Sequence, residues 1–475
     1  MVFGKPVARE TYLRLAVLLL VILGLSAAAS GATYYVATTG SDSNDGSSGA
    51  PWLTIQYAVN TIVAGDTIMV RAGSYTGCKI TSSGSSGAPK TLMADTGAAV
   101  ILNAVSASAT NNGIIEIANT GSPVSYWVID GLEVDGVGNS RRCLFVTTTD
   151  HITVQNCTIH DSYEYNVLAT WSDSLLVENC EFYGSSNHSF DVGNSSDNGI
   201  FRNNVIHNSG MNGMFLDADA RFSGDGIMSG WLIEKNVIYD NVSSGISVDG
   251  LEYSTLRNNL IYGTGLSGKG IALVGVDGAV SARYNRVLNN TILNPDGSYY
   301  VIFIKDGGPS TPDPVGNRLF NNILYHYNTT STLRGSICID AATLADFQSD
   351  YNVVMSNFSV DGGKKNTLFA VWKSTYGLDL HSIQAADTDL FVDAANHDYM
   401  LKDTSPAIDA GTTLGDVTDD IRGYLRYNGI AYDIGCYEYG SLPVDITTAS
   451  LLDGTVDTAY SETLAAEGGV PPYTW

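Results

Sequence analysis

From residue 150 to 355 the chain is built of short apolar segments with a period of two, and it keeps returning to an Asn followed by an apolar strand. The instances are Asn156 in QNCTI, Asn179 in ENCEF, Asn204 in RNNVI, Asn236 in EKNVI, Asn259 in RNNLI, Asn290 in LNNTI, Asn322 in FNNIL and Asn352 in DYNVV. Successive gaps are 23, 25, 32, 23, 31, 32 and 30 residues, which suit a coil of three short strands with or without one extra loop. One such unit cannot bury its own apolar face, so units must stack in parallel at a spacing of roughly 4.8 Å. The pattern predicts an all-β fold, a right-handed parallel β-helix. Equivalent Asn residues then line up at one corner, bonding the coils above and below and satisfying the turn backbone.

Solenoid ends expose strand edges and core, so they need caps. Ile55, Ala58, Val59 and Ile62, spaced i, i+3, i+4, i+7 after Pro51, predict a short N-terminal helix that plugs the core. Residues 1–32 read as a secretory signal: Lys5, Arg9 and Arg14 precede an apolar run from Leu15 to Leu25, and small residues follow. That run is too short to span a bilayer comfortably, although a signal anchor stays open. The expectations are export to the medium or cell surface, no membrane span after signal removal, and a monomer.

Composition narrows the function. The 475 residues carry 49 acidic and 24 basic side chains, a net charge of -25, which excludes a basic footprint for nucleic acid. A hydrophobic fraction of 44% with 27 Tyr is enough to build a core. Six cysteines are too sparse for a disulfide-built scaffold. Cys157 and Cys180 stack if they occupy equivalent positions, either as buried thiols, the preferred reading, or as a bridge.

The segment YYVATTGSDSNDGSSGAPWLTIQYAVNTIVAGDTIMVRAGSYTG (34–77) resembles the N-terminal signature of the pectate-lyase-like right-handed β-helix superfamily, and the Asn coils continue the resemblance to about residue 360. SPAIDAG (405–411) and the stretch from RGYLR to DIGCYEY (422–439) resemble the closing segment of secreted bacterial members. Residues 33–400 are therefore expected to form the β-helix and 401–440 its closing segment, while 442–475 resemble the start of an Ig-like domain. The resemblance implies a ligand cleft along the outer face of the first strand of each coil. It does not carry over catalytic residues: the Asp-Asp-Gly-Trp-Asp calcium segment of family-nine pectate lyases and the Asp-Pro-His-Glu motif of alginate epimerases have no counterpart in this sequence.

Site residues must then come from register. The inward pairs Phe190/Val192, Met214/Leu216, Ile246/Val248, Ile271/Leu273, Ile302/Ile304 and Ile337/Ile339 put Gly193, Asp217, Asp249, Val274, Lys305 and Asp340 in one outward position, with Asp191 outward on the coil before Asp217. Asp217 and Asp249 on adjacent coils either share a cation or push their pKa values apart. In one reading Asp191, Asp217, Asp219 and Asp249 hold calcium, which bridges to an acidic polysaccharide, and a base removes the proton next to a uronate carboxyl. Lys305 and Arg221 are the catalytic candidates beside Asp217 and Asp249, with His188, Lys269 and Asp225 contacting substrate. In the other reading the two carboxylates act as nucleophile and acid of a retaining glycosidase.

Weaker signals remain. Ser41 to Gly46 resembles a calcium loop but reads better as a polar turn. His207, Tyr239 and Tyr262 predict an outward column that binds sugars or simply covers the sheet. The expected function is a secreted polysaccharide-binding and polysaccharide-cleaving β-helix, lyase action ahead of hydrolysis. The rival is a non-catalytic surface or adhesion protein in which the solenoid is a spacer.

Overall fold

The computed structural model describes residues 31–138, 140–308, 310–328 and 331–440, together with a backbone pairing of Asp445–Ile446 with Ala466–Glu467. The signal and Ig-like expectations lie otherwise outside the described residues. Among the described residues no helix is long and apolar enough to cross a membrane.

The coils form a parallel β-helix with three faces. One coil runs through Phe190–Gly193 on face one, Ile200–Arg202 on face two and Val205–His207 on face three. Each strand pairs in parallel with its equivalent on the next coil, so Phe190 stands opposite Met214, Ile200 opposite Leu232 and Val205 opposite Val237. Because most strands are three or four residues long, the period of two leaves one or two inward positions on each. The inward pairs read from sequence on face one are all fully buried. Phe201, Ile233, Leu256 and Val287 fill the same role on face two, and Ile206, Ile238, Ile261 and Ile292 on face three. The core is thus a bundle of side-chain columns parallel to the solenoid axis.

The corner between faces two and three carries a buried Asn ladder. Asn290 Oδ1 accepts the Asn259 N–H at 3.0 Å and the Asn259 side-chain amide at 2.9 Å, and its own Nδ2 donates to Asn322 Oδ1 at 3.0 Å and to Leu256 O at 2.9 Å. The same bonds link Asn204, Asn236, Asn259, Asn290, Asn322 and Asn352. Asn156 and Asn179 are not in this ladder, which corrects the alignment read from the gaps. They occupy the residue before it, which is left-handed in every coil: φ is 53° at Asn156, 55° at Asn179 and 55° at Asn203. Asn suits that conformation because its short polar side chain tolerates it. Cys157 and Cys180 take the ladder position in those two coils. Both are free, buried thiols; the Cys157 N–H points at Cys180 Sγ at 3.4 Å, and the Cys180 N–H donates to Asn204 Oδ1 at 2.9 Å.

Both ends are closed. Helix Ile55–Thr61 is capped by the Thr54 side chain and buries Ile55, Ala58 and Val59, with Ile62 buried just beyond it. At the other end the regular coils stop at Asn357–Ser359, and Trp372 of helix Phe369–Tyr376 stacks on Phe358 at 4.7 Å. The 401–440 segment therefore does not cover the end of the solenoid. It runs back along the Asn corner, where Asn321 and Asn289 donate to Thr412 O and Asp433 O, and Lys235 pairs with Asp419 at 2.6 Å. A fully buried pair, Arg426 with Glu438 at 2.8 Å, holds this strap, and Arg426 also reaches Asn258 Oδ1 at 3.1 Å.

Removing one rung leaves buried donors and acceptors without partners, at roughly 1–3 kcal/mol for each such group. Asn290→Ala is expected to lose at least that much in chemical denaturation. Asn156→Gly, at the left-handed position outside the ladder, is expected to stay within the ~0.5 kcal/mol of an ordinary surface change; equal losses would contradict the ladder's role.

Candidate functional site

Register delivers the outward column on face one. Gly193, Asp217, Asp249 and Val274 stand opposite one another on four successive coils. A cleft of about 350 Å³ opens over this column, and Asp217, Asp249, Asp277, Lys269, Lys305 and Phe303 are among its walls. Two carboxylates on neighbouring strands and two lysines from the following coils therefore face one space.

The carboxylates differ in state. Asp249 accepts the N–H groups of Val276 at 2.9 Å and Asp277 at 2.7 Å, with Gly278 at 3.3 Å. It folds the 276–278 loop over itself, and a Cβ at Gly278 would lie 2.8 Å from Gly250 Cα, so this closure requires glycine. Burial raises the Asp249 pKa, and these donors work against the rise. The Asp217 carboxylate accepts no hydrogen bond among the described residues; only its backbone carbonyl does, from the Asn194 N–H at 3.0 Å. Burial, then the charges of Asp249, Asp219 and Asp277, push it up to about 6. Asp191 sits two residues before the column position on its strand, opposite Phe215, and is buried. Burial and then Asp217 push it up to about 8, so it is largely protonated at neutral pH. Lys269 shows the reverse shift: burial first, then Lys305 and Arg334, lower its pKa. Its ammonium lies over the Phe303 ring at 5.5 Å and the Tyr299 ring at 5.7 Å.

Other sequence candidates lie outside this cleft. Arg221 is held by Asp219 at 2.5 Å and by Asp277 at 3.1 Å, and its side chain is largely exposed. The two-residue spacing closes that pair locally, so Asp219 is engaged by Arg221 and is not among the cleft walls. Asp225 accepts from Ser195 Oγ at 2.9 Å and from the Ile227 N–H at 3.0 Å, which makes it a loop-ordering residue. His188 is packed between Tyr165 and Phe215, with ring centroids 6.2 and 4.7 Å away, and its Nδ1 accepts the Asn212 N–H. Burial holds its pKa at about 4, so the ring is neutral and acts as wall. The four-carboxylate calcium set does not assemble as one cage: only Asp217 and Asp249 of the four line the cleft.

Two features escaped the sequence. Asp277 arrives through the loop that Asp249 closes, and Arg334 reaches the lysines by stacking on Tyr299 at 4.7 Å. The His207, Tyr239 and Tyr262 column on face three is longer than the repeat indicates, running from His160 and Tyr183 to His397. Its rings stack face to face at 4.6 to 5.2 Å, so the ring faces needed to stack against a sugar are already covered within the column.

Comparison with known proteins agrees on the fold. Residues 34–197 match the family described as Pel9A-like, right handed beta helix region, and residues 142–291 match the right handed beta helix region family. Over 75 residues the chain is 43% identical to pectate lyase PEL9 of Emericella nidulans, a stretch covering 15% of this chain and only 18% of that protein. The solved structure of pectate lyase Pel9A is similar at a TM-score of 0.59 and 17% identity, covering 86% of this chain and 96% of that one. XylC in complex with xylose follows at a TM-score of 0.51 and 12% identity, covering 85% and 98%. At these identities the structural likeness establishes the right-handed β-helix fold.

A carboxyl whose folded-state pKa is raised contributes stability at low pH that is lost as pH rises through that pKa. For Asp191 the loss falls between its ordinary value near 3.8 and about 8. Asp191→Asn removes it. The variant's Tm is expected to be close to wild type at pH 4 and above wild type at pH 9; parallel curves would show that Asp191 is not a buried acid.

Proposed function

We propose that this protein is exported, binds an acidic polysaccharide along face one and cleaves it by β-elimination. The observation that carries this reading is the cleft in which Asp217 and Asp249 face Lys269 and Lys305. A chain laid along the axis meets the two carboxylates on adjacent coils first and the two ammonium groups on the coils that follow. Lys269 is the base: its lowered pKa leaves more free amine at a given pH, the form that can take a proton. It removes the proton α to a uronate carboxyl, the C–H pair becomes a carbon–carbon double bond, and the glycosidic oxygen on the β-carbon leaves and is protonated by solvent. The base role passes from Lys305 to Lys269 because burial, with the neighbouring Lys305 and Arg334 cations, lowers the Lys269 pKa. Lys305 and Arg334 hold positive charge beside it.

Asp217 and Asp249 are the residues that would hold calcium in the cleft, where a hard cation neutralises the sugar carboxylate and acidifies its neighbouring C–H. Asp217, raised in pKa and with a carboxylate that accepts no hydrogen bond among the described residues, is the group that gains most from a nearby positive charge. A second reading, retaining hydrolysis, rests on Asp217 and Asp249 being directly opposite at a backbone separation of roughly 5 Å.

The test incubates the protein with polyuronates and with neutral plant glycans, following unsaturated-product absorbance and reducing ends together. The expected result is unsaturated product from a polyuronate, at a rate that rises with pH as Lys269 loses its proton. Lys269→Ala is expected to reduce the rate by about 10²–10⁴-fold, the usual contribution of a positioned base. Asp217→Ala is expected to impair it as well. Reducing ends without unsaturated product would replace elimination by hydrolysis, and glycan binding with neither product would leave a non-catalytic binding protein.

A further inference from the structure

On face three, away from the cleft, parallel register brings together a group that the proposed function does not use. Asp135 stands directly opposite His160 on the next coil, and His160 stands opposite Tyr183 on the one after. Glu133 projects from the same strand as Asp135, two residues earlier. Asp161 follows His160 in the left-handed conformation, φ 54°, which turns its carboxylate back towards the ring. Gly184 makes room for it, since a Cβ there would lie 2.1 Å from Asp161 Oδ1.

The His160 side chain is only 8% exposed and is fixed by stacking on Tyr183 at 4.6 Å with planes 8° apart. Its Nδ1 edge faces Asp161 Oδ2 at 2.9 Å and Asp135 Oδ1 at 3.9 Å. Its Nε2 edge faces Glu133 Oε1 at 3.4 Å. A neutral imidazole has one N–H and one lone pair. Whichever nitrogen keeps the lone pair, no donor among the described residues reaches it; only carboxylate oxygens do. The three carboxylates form no ion pair with a Lys or Arg among the described residues. A buried lone pair that meets only carboxylate oxygens, on a ring flanked by three carboxylates without a Lys or Arg counter-ion, requires a positive charge at that point, either a second ring proton or a bound cation.

We propose that His160 Nδ1, Asp135 and Asp161 form a binding site for a divalent transition-metal ion, with Glu133 holding the ring from its Nε2 side. The ligand-bearing atoms of Asp135, His160 and Asp161 all lie within 4.8 Å of one another. An imidazole with two carboxylates suits zinc, cobalt or manganese, whereas calcium takes oxygen ligands only. A carboxylate accepting the second ring N–H is the usual support of a metal-bound histidine. The partly exposed Asp161 leaves the remaining coordination positions to water. A bound ion ties the Glu133–Asp135 coil to the Thr158–His160 coil, so it is a clamp between coils, independent of what the cleft does.

The full chain, stripped with a chelator, is titrated with cobalt(II) followed by visible absorbance and with zinc followed by calorimetry and thermal unfolding. The expected result is saturable binding at this site, a cobalt band characteristic of nitrogen and oxygen ligation, and a raised Tm. His160→Gln and Asp161→Asn are expected to abolish the band. Glu133→Gln is expected to weaken binding by about 10–100-fold, as loss of such a support does, and Asp217→Asn in the cleft to leave the band unchanged. Asp161 is exposed, so its variant tests the site even if His160→Gln fails to fold. Absence of the band and of any zinc-induced Tm rise would overturn the proposal and leave an imidazolium ion-paired with its neighbours; so would a band that survives both His160→Gln and Asp161→Asn.

Discussion

Everything in this molecule depends on in-register stacking of one coil on the next. Parallel pairing fixes which residue of a coil lies beside which residue of its neighbour, and a slip of one residue would turn every inward side chain outward. The buried Asn ladder enforces that register from the side. Each amide bonds the equivalent amide and the backbone of adjacent coils, so a slipped coil would leave several buried polar groups without partners at once. Hydrophobic columns supply the drive to stack, and the ladder selects one way of stacking. Where Cys157 and Cys180 replace the amide, the Cys180 sulfur meets the Cys157 N–H, the Cys180 N–H donates to Asn204, and the strict side-chain relay begins only at Asn204.

The cleft is a consequence of the same register. Asp217 and Asp249 are neighbours because their strands are, not because any local motif joins them. Their charges cannot relax apart, since both backbones are pinned by the ladder geometry. The protein tempers the conflict in two ways: backbone N–H groups of the 276–278 loop draw charge from Asp249, and Asp217 shifts towards its protonated form. Arg221 is committed to Asp219 beyond the cleft rim, and its charge offsets only part of the repulsion on Asp217. A cleft built on such a carboxylate, with a lysine of lowered pKa two coils away, is prepared for an incoming group that brings positive charge or a proton to be moved.

Much of this was legible in the chain. Period-two patterning located the six inward pairs of face one from Phe190/Val192 to Ile337/Ile339, and the outward Asp217–Asp249 column followed by counting. The helix at Ile55 was legible from its spacing. What sequence could not carry was whatever depends on a side chain's own reach. The two-residue gap from Asp219 to Arg221 forms an ion pair only once the loop is folded. His188 reads in sequence as a side chain that contacts substrate and is a packed ring in space. The lowered pKa of Lys269 arises from its burial beside Phe303 and Tyr299 and from neighbouring cations brought in by other coils. The Asn156 and Asn179 misalignment came from treating all Asn-led repeats alike, although an Asn-Cys pair places its Asn in the left-handed residue and an Asn-Asn pair has one in each place. Asp135 beside His160 was invisible because the Asn repeat begins only after residue 150. The returning strap was invisible because its partners, such as Asn258 and Arg426, lie far apart in the chain.

The central claim is that an acidic glycan is read by the outward column of face one. It is tested most directly by a crystal structure of Lys269→Ala with an oligouronate, in which the chain cannot be turned over by this route. The account predicts the sugar chain lying along the solenoid axis over Asp217 and Asp249, with a carboxylate beside Lys305. An oligouronate bound on face three, or no oligouronate bound at concentrations where the wild-type protein acts on the polymer, would contradict it.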